Sequence, residues 1–214
     1  MAVLRANGEE IANPERLNRL RELVESLCLE EGDFTLSTGR HSKYYFDCKK
    51  AMLDGGCLAL IADAFLKEAG RLEPVPTAIG GLTIGADFIV AAVIMRAAQI
   101  GHPMRHGLIV RKEPKEHGTQ RYIENETTTG ARVMVVDDVI TTGGSTRLAC
   151  ERLRDAGYQI AGIVALVDRE AGGREGLAAF TPHIRGIFKK SDFPRLRQHG
   201  EDDADAPTRA LVHA

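Results

Sequence analysis

Residues 133–150 read VMVVDDVITTGGSTRLAC, and the fold turns on them. Four consecutive apolar residues, Val133 to Val136, make a strand buried on both faces, as the inner strands of a parallel sheet are. The run ends in two acids, Asp137 and Asp138, at the strand edge that faces the ligand crevice of open α/β sheets. Thr141-Thr142-Gly143-Gly144-Ser145-Thr146 then leads into a helix predicted over about 144–156. Backbone N–H groups at a helix start are unpaired and lie at the positive end of its dipole, so they bind phosphate. Glycines let the backbone approach the anion, and the Thr and Ser hydroxyls add donors. Carboxylates repel phosphate but suit sugar hydroxyls. A glycine-rich turn beside two solvated acids is the plainer alternative; the ordered combination of apolar run, paired acids and TTGGST weighs against it.

Strand and helix patterns alternate on both sides of this segment. Val75–Ile79, Gly107–Val110 and Ile160–Val167 are short apolar runs, the first stopped by Gly80-Gly81. Helices are predicted over 57–69, opened by Gly55-Gly56, and over about 84–99. This alternation implies βαβ units: a central, mainly parallel sheet flanked by helices. Upstream, Asn13-Pro14 is a helix start, Leu17, Leu20, Val24 and Leu27 recur at helical spacing, and Gly32 is expected to close that helix. FTLSTGRHSKYYFDC (34–48) reads as two strands around a tight Thr-Gly turn. From His199 the chain has four acids in five positions and reads as a mobile tail, 199–214, after one domain over 1–198.

With 214 residues the chain has room for one domain and a small appendage. A net charge of −2 excludes a protein that coats nucleic acid or an anionic membrane, so neither is expected as a partner. The four cysteines show no Cys-x-x-Cys pair, which points to reduced thiols in the cytoplasm. No apolar h-region marks the N-terminus, and the eight-residue run Phe88–Met95 is too short to span a bilayer. The near-neutral total hides local imbalance: residues 105–121 hold five Lys/Arg against two acids.

Arg111, Lys112, Lys115 and His117 lie in the run RKEPKEHG (111–118) that follows a core strand. Solvated charged hairpins are the commoner origin of such runs. Pro114, Gly118 and the interleaved acids instead shape a loop, a cationic lid of the kind that closes over a polyanionic ligand.

These motifs together resemble the type I phosphoribosyltransferases, and RKxxKxHG resembles the catalytic loop of their orotate-specific members. GGLTIGAD (80–87) is similar to the family's pyrophosphate loop, FTLSTGRHSKYYFD (34–47) to its base-pocket segment, and Val167-Asp168-Arg169 to the strand end with an orotate-binding arginine. No G-x-G-x-x-G follows any strand, which disfavours a dinucleotide fold. The resemblance implies the type I phosphoribosyltransferase fold, with a small hood from about 30–50 and 180–195 and a flexible β-hairpin lid. It implies transfer of phosphoribose from phosphoribosyl pyrophosphate (PRPP) to orotate.

By the same resemblance Arg111, Lys112, Lys115, His117 and the stretch Asp137, Asp138, Val139, Ile140, Thr141, Thr142, Gly143, Gly144 and Ser145 bind PRPP. Gly80, Gly81, Leu82 and Thr83 take the pyrophosphate, and Thr141, Arg169, Tyr45, Phe46 and Ser37 take orotate. Lys115, His117 and Asp138 are the expected catalytic residues. Mg²⁺ is expected on the phosphates and waters rather than in a protein cage. A homodimer with a lid shared across subunits is implied too. Some family members have a lysine where Ser37 stands and another in the pyrophosphate loop; both are missing here, which shifts cationic duty to Arg169 and the 111–118 loop. A uracil or purine phosphoribosyltransferase, or a PRPP-sensing regulator without catalysis, are the alternatives; the retained loop cations and Arg169 argue against them.

Overall fold

The computed structural model describes residues 5–6, 9–35, 41–114 and 121–197. A short antiparallel pair, β1 (Arg5–Ala6) with β2 (Glu9–Glu10), precedes the first helix, α1 (Pro14–Cys28). Asn13 caps it as expected, its side-chain oxygen accepting the Arg16 N–H at 2.9 Å. The helix does not run to Gly32. It stops at Cys28, because the Cys28 carbonyl accepts the Asp47 N–H and the chain goes straight into β3 (Leu29–Thr35), which pairs antiparallel with β4 (His41–Phe46). Strand pairing with a distant segment outweighs the local stop signal. The Thr-Gly turn expected between the strands falls outside the described residues.

Two helices follow, α2 (Lys49–Met52) and α3 (Gly55–Ala69), and then the sheet proper. Its members are β5 (Ala78–Leu82), β6 (His106–Val110), β7 (Ile123–Glu124), β8 (Arg132–Ile140), β9 (Gln159–Asp168) and β10 (Ile184–Lys189), interleaved with α4 (Asp87–Gln99), α5 (Gly144–Asp155) and α6 (Gly173–Leu177). A 3-10 turn (Lys190–Asp192) and α7 (Pro194–Arg197) end the described chain. The strands order β10-β9-β8-β5-β6-β7, all parallel except β7. The expected mainly parallel sheet flanked by helices is what the chain forms.

Side chains alternate across the sheet. Met134, Val136, Val164 and Leu166 pack with α1, α3 and α4; Val133, Val135, Ile163 and Ala165 pack with α5 on the other face. Buried Asp63 of α3 joins the helices of the first face, accepting from Arg16 of α1 and from Arg96 Nε of α4 at 2.7 Å. The segments expected to form a hood divide in space. Residues 184–189 are the edge strand of the main sheet, whereas Phe193 meets Phe46 at 5.9 Å between ring centroids and Arg195 bonds Glu31 at 2.9 Å.

Chain direction makes the crevice. From β5 the chain leaves through α4 on one face; from neighbouring β8 it leaves through α5 on the other. The gap beyond the carboxyl ends of β5 and β8 is therefore the topological switch point, where open sheets bind ligands. Two boundaries shifted from expectation here. Gly80 and Gly81 lie inside β5 rather than ending it: a Cβ on Gly81 would sit 2.2 Å from the Val136 carbonyl oxygen and 2.5 Å from the Ala86 Cβ, so only glycine lets this end of β5 meet β8. β8 runs on through both acids to Ile140, because its pairing with β9 continues to Ile140 opposite Asp168. Gly81→Ala should accordingly lose about 3 kcal/mol of stability by overpacking, read as a lowered Tm in thermal melts, with Gly55→Ala, where a Cβ meets nothing, as the neutral control.

Candidate functional site

Asp137 and Asp138 lie near the end of the central strand, buried, 5% and 7% exposed. Asp137 accepts the Thr146 hydroxyl at 2.7 Å and the Asp138 N–H at 3.0 Å; Asp138 accepts the Val139 N–H at 2.9 Å. Gly85 closes over them from the β5 side: a Cβ there would lie 2.6 Å from an Asp138 oxygen. Burial, reinforced by the Asp138 charge, holds the Asp137 carboxyl well above the usual carboxylate range. Burial also raises Asp138, opposed by its hydrogen bonds and by the charge of Lys49. Among the described residues no basic nitrogen makes an ion pair with either acid.

The phosphate loop follows. Gly143 caps α5 at φ +79°, a left-handed turn that glycine adopts without strain, and it aims the first turn of α5 at the crevice. Gly144 and Ser145 are exposed there, and Thr141 is half-buried. Gly173 braces the loop from below, at a distance where a Cβ would meet the Thr141 carbonyl oxygen at 2.4 Å. Opposite, Gly80 to Thr83 form the end of β5 and the following turn; the Thr83 hydroxyl donates to Asp87 at 2.7 Å.

The base-pocket residues rearrange relative to expectation. Arg169 follows β9, its N–H bonded to the Ile140 carbonyl at 2.8 Å, and its guanidinium is buried beside the acids' strand. Nη2 donates to the Tyr44 hydroxyl at 2.8 Å. Strand alternation sends Tyr44 and Phe46 to one side of β4 and Tyr45 to the other, where its ring meets Phe34 at 5.7 Å. Phe46 belongs to the hydrophobic core against Phe193. Of the three aromatics it is therefore Tyr44, not Tyr45 or Phe46, that stands at Arg169. Period-two alternation separates Tyr45 from the other two, but the choice between Tyr44 and Phe46 is made by tertiary packing.

Arg111 and Lys112 leave β6 at the rim of the crevice. The Arg111 guanidinium pairs with Glu124 at 3.0 Å, and β6 and β7 form the two arms of a hairpin, as expected for the lid. Lys115, His117 and Ser37 lie outside the described residues, as does the 199–214 tail.

A sheet switch point with paired acids, a capped phosphate helix and a buried arginine defines a phosphoribosyl-transfer site. Residues 89–182 match the phosphoribosyl transferase domain family. An orotate phosphoribosyltransferase of Thermosynechococcus vestitus is 43% identical over 176 residues, covering 80% of this chain and 91% of the relative. The solved orotate phosphoribosyltransferase of Mycobacterium tuberculosis H37Rv in complex with Fe(III) dicitrate is 35% identical with a TM-score of 0.75, covering 85% of this chain and 99% of that one. The same enzyme in complex with PRPP is 32% identical with a TM-score of 0.68, covering 84% and 99%. The chain belongs to the orotate phosphoribosyltransferase family.

The acid pair has a measurable consequence. A carboxyl raised in the folded state gives its full stability below the unfolded titration near pH ~4 and loses it as pH rises through the folded value. Asp138→Asn keeps the acceptor for the Val139 N–H and removes one charge. The unliganded variant should therefore melt higher than the parent at about pH 7, with the gap closing toward pH ~4. It should also lose the stabilisation that PRPP confers. A variant that melts lower at neutral pH would contradict this account of the pair.

Proposed function

We propose that the chain transfers the 5-phosphoribosyl group of PRPP to orotate, giving orotidine 5′-monophosphate and pyrophosphate in the synthesis of pyrimidine nucleotides. The observation that carries the choice of base is Arg169. Arg169 is 8% exposed, and among the described residues its Nε has no partner and no acid pairs with it. A buried charge left unpaired is costly, so this pocket is complementary to an anion. The orotate carboxylate offers the planar, bidentate match that a guanidinium prefers, and neutral uracil or hypoxanthine does not. Tyr44 and Thr141 orient the arginine and the base; Ser37 is proposed beside them, whereas Tyr45 and Phe46 have a packing role.

The first turn of α5, with Thr141 to Ser145 and the backbone of Val139 and Ile140, holds the 5-phosphate. Asp137 and Asp138 accept from the ribose hydroxyls. As the bond from the anomeric carbon to pyrophosphate breaks and that to the base nitrogen forms, positive charge grows on the sugar. The Asp138 carboxylate, already short of a cation, stabilises it. Gly80, Gly81, Leu82, Thr83, Arg111 and Lys112 receive the departing pyrophosphate, and Lys115 and His117 neutralise or protonate it. The unpaired acids and nearby phosphates fit a divalent cation: Mg²⁺ carried by PRPP, held through waters near Asp137 and Asp138, would neutralise diphosphate charge. All four cysteines are free and buried, in keeping with a reducing cytoplasm.

A second copy of the chain is proposed on the outer face of α4. Met95 of α4 is 59% exposed and Ala91 and Ala98 share its helix face; Ile84, also 59% exposed, lies in the turn before α4, so the apolar stripe continues the pyrophosphate loop. Docking there would bring the basic loop of one protomer to the site of its partner.

PRPP-dependent loss of orotate absorbance, run beside uracil and hypoxanthine, tests the reaction; turnover of either neutral base in place of orotate would overturn it. Arg169→Ala should raise the orotate KM by at least about tenfold with the PRPP KM within about twofold. Lys115→Ala should lower kcat instead. Co-expressed Lys115→Ala and Arg169→Ala chains should recover roughly a quarter of parental activity, since half the dimers then hold one intact shared site. No recovery would exclude sharing.

A further inference from the structure

The arms of the β6–β7 hairpin are paired at Ile109 opposite Glu124 and at Val110 opposite Ile123, and their last rung is the Arg111 N–H bonded to the Tyr122 carbonyl at 2.7 Å. Past that rung the carbonyls of Arg111 and Lys112 have left the ladder. Both are taken by one side chain from another layer: Arg152 donates Nη1 to the Arg111 carbonyl and Nη2 to the Lys112 carbonyl at 2.5 Å. The flat face of the same guanidinium covers the Tyr122 ring, 4.0 Å from its centroid, on the returning arm. Arg152 belongs to α5, eight residues or about 12 Å along the axis from Gly144. A single guanidinium thus joins the outgoing arm, the returning arm and the helix that carries the phosphate loop.

We infer that Arg152 is a positioning residue for the diphosphate half of PRPP: it anchors the base of the basic hairpin to α5 and so sets where Arg111 and Lys112 stand relative to the 5-phosphate end of the helix. The inference rests on the proposed role of the 111–118 segment in handling pyrophosphate. Arg152 itself touches no substrate. Its effect runs through backbone carbonyls, and backbone position determines where both cations project. Misplacement of reacting or stabilising groups by ~1 Å costs on the order of 100-fold in rate. Only arginine has the geometry: lysine offers one ammonium in place of a fork and cannot stack on Tyr122 while donating to two carbonyls. The proposed orotate side of the crevice, built from β4 and the end of β9, shares no hydrogen bond with this anchor among the described residues.

The test uses the full chain with Arg152→Ala and Arg152→Lys. In Arg152→Ala, kcat/KM for PRPP should fall at least about tenfold while the orotate KM stays within about twofold; Arg152→Lys should recover only part of the loss. Trypsin cleavage of the unliganded protein after Lys112, followed by fragment mass, should accelerate several-fold in Arg152→Ala at an unchanged Tm. This readout needs no activity, so it separates failure of the anchor from failure of the proposed reaction. Unchanged cleavage and unchanged PRPP kinetics would overturn the anchor. Faster cleavage with parental PRPP kinetics would overturn its role in the reaction, and equal losses for PRPP and orotate would reduce it to general stability. Should Arg152→Ala fail to fold, Arg152→Lys decides: parental PRPP kinetics in that variant overturn the inference.

Discussion

Two adjacent buried carboxylates with no ion-pair partner among the described residues are the feature around which the rest of the structure is arranged. Asp137 and Asp138 stand near the carboxyl end of the central strand, and burial opposes their ionisation, reinforced at Asp137 by the charge of Asp138. Hydrogen bonds from Thr146 and from the backbone of Asp138 and Val139 offset part of that cost. What remains is a standing affinity for positive charge. Under the proposed function, a ribose gaining cationic character would supply it, so that a destabilising feature of the site becomes a stabilising one at the transition state.

Close approach of backbone at the switch point makes that arrangement possible. β5 and β8 run parallel and then diverge to opposite faces, and Gly81 and Gly85 occupy positions where any side chain would strike Val136 or Asp138. Gly173 does the same beneath the phosphate loop. Under the proposed function, the two substrates are handled by different parts of the molecule around this centre. The base anion is assigned to Arg169, which bonds Tyr44 of β4. The diphosphate is assigned to the basic hairpin, which Arg152 holds to α5. The separation lets a mutation affect one substrate and spare the other.

Much of this was legible in the sequence, because the decisive signals are local. An apolar run, two acids and a Thr/Gly turn occupy consecutive positions, and each residue type is required by its neighbours' geometry. The parallel sheet followed from alternation of runs. Where reading failed, long-range contact had won over local pattern. Gly32 looked like a helix stop, yet α1 ends four residues earlier because Cys28 and Leu29 pair with Asp47 and Phe46. Gly80 and Gly81 looked like a strand end, yet they are strand residues thinned for a neighbour. Tyr44, Tyr45 and Phe46 could be told apart only in part, since alternation gives two faces without saying which one meets the pocket.

The sequence by itself determined the fold class, the phosphate loop, the acid pair and the cationic run, because each is written in a contiguous segment whose chemistry needs no partner. Tertiary structure alone decided which aromatic meets Arg169, that no acid among the described residues neutralises that arginine, and that Arg152 holds the hairpin. Those facts join residues 125 and 41 positions apart. Their physical basis is burial and hydrogen-bond geometry between separate elements, and no periodicity within a single segment encodes such a distance.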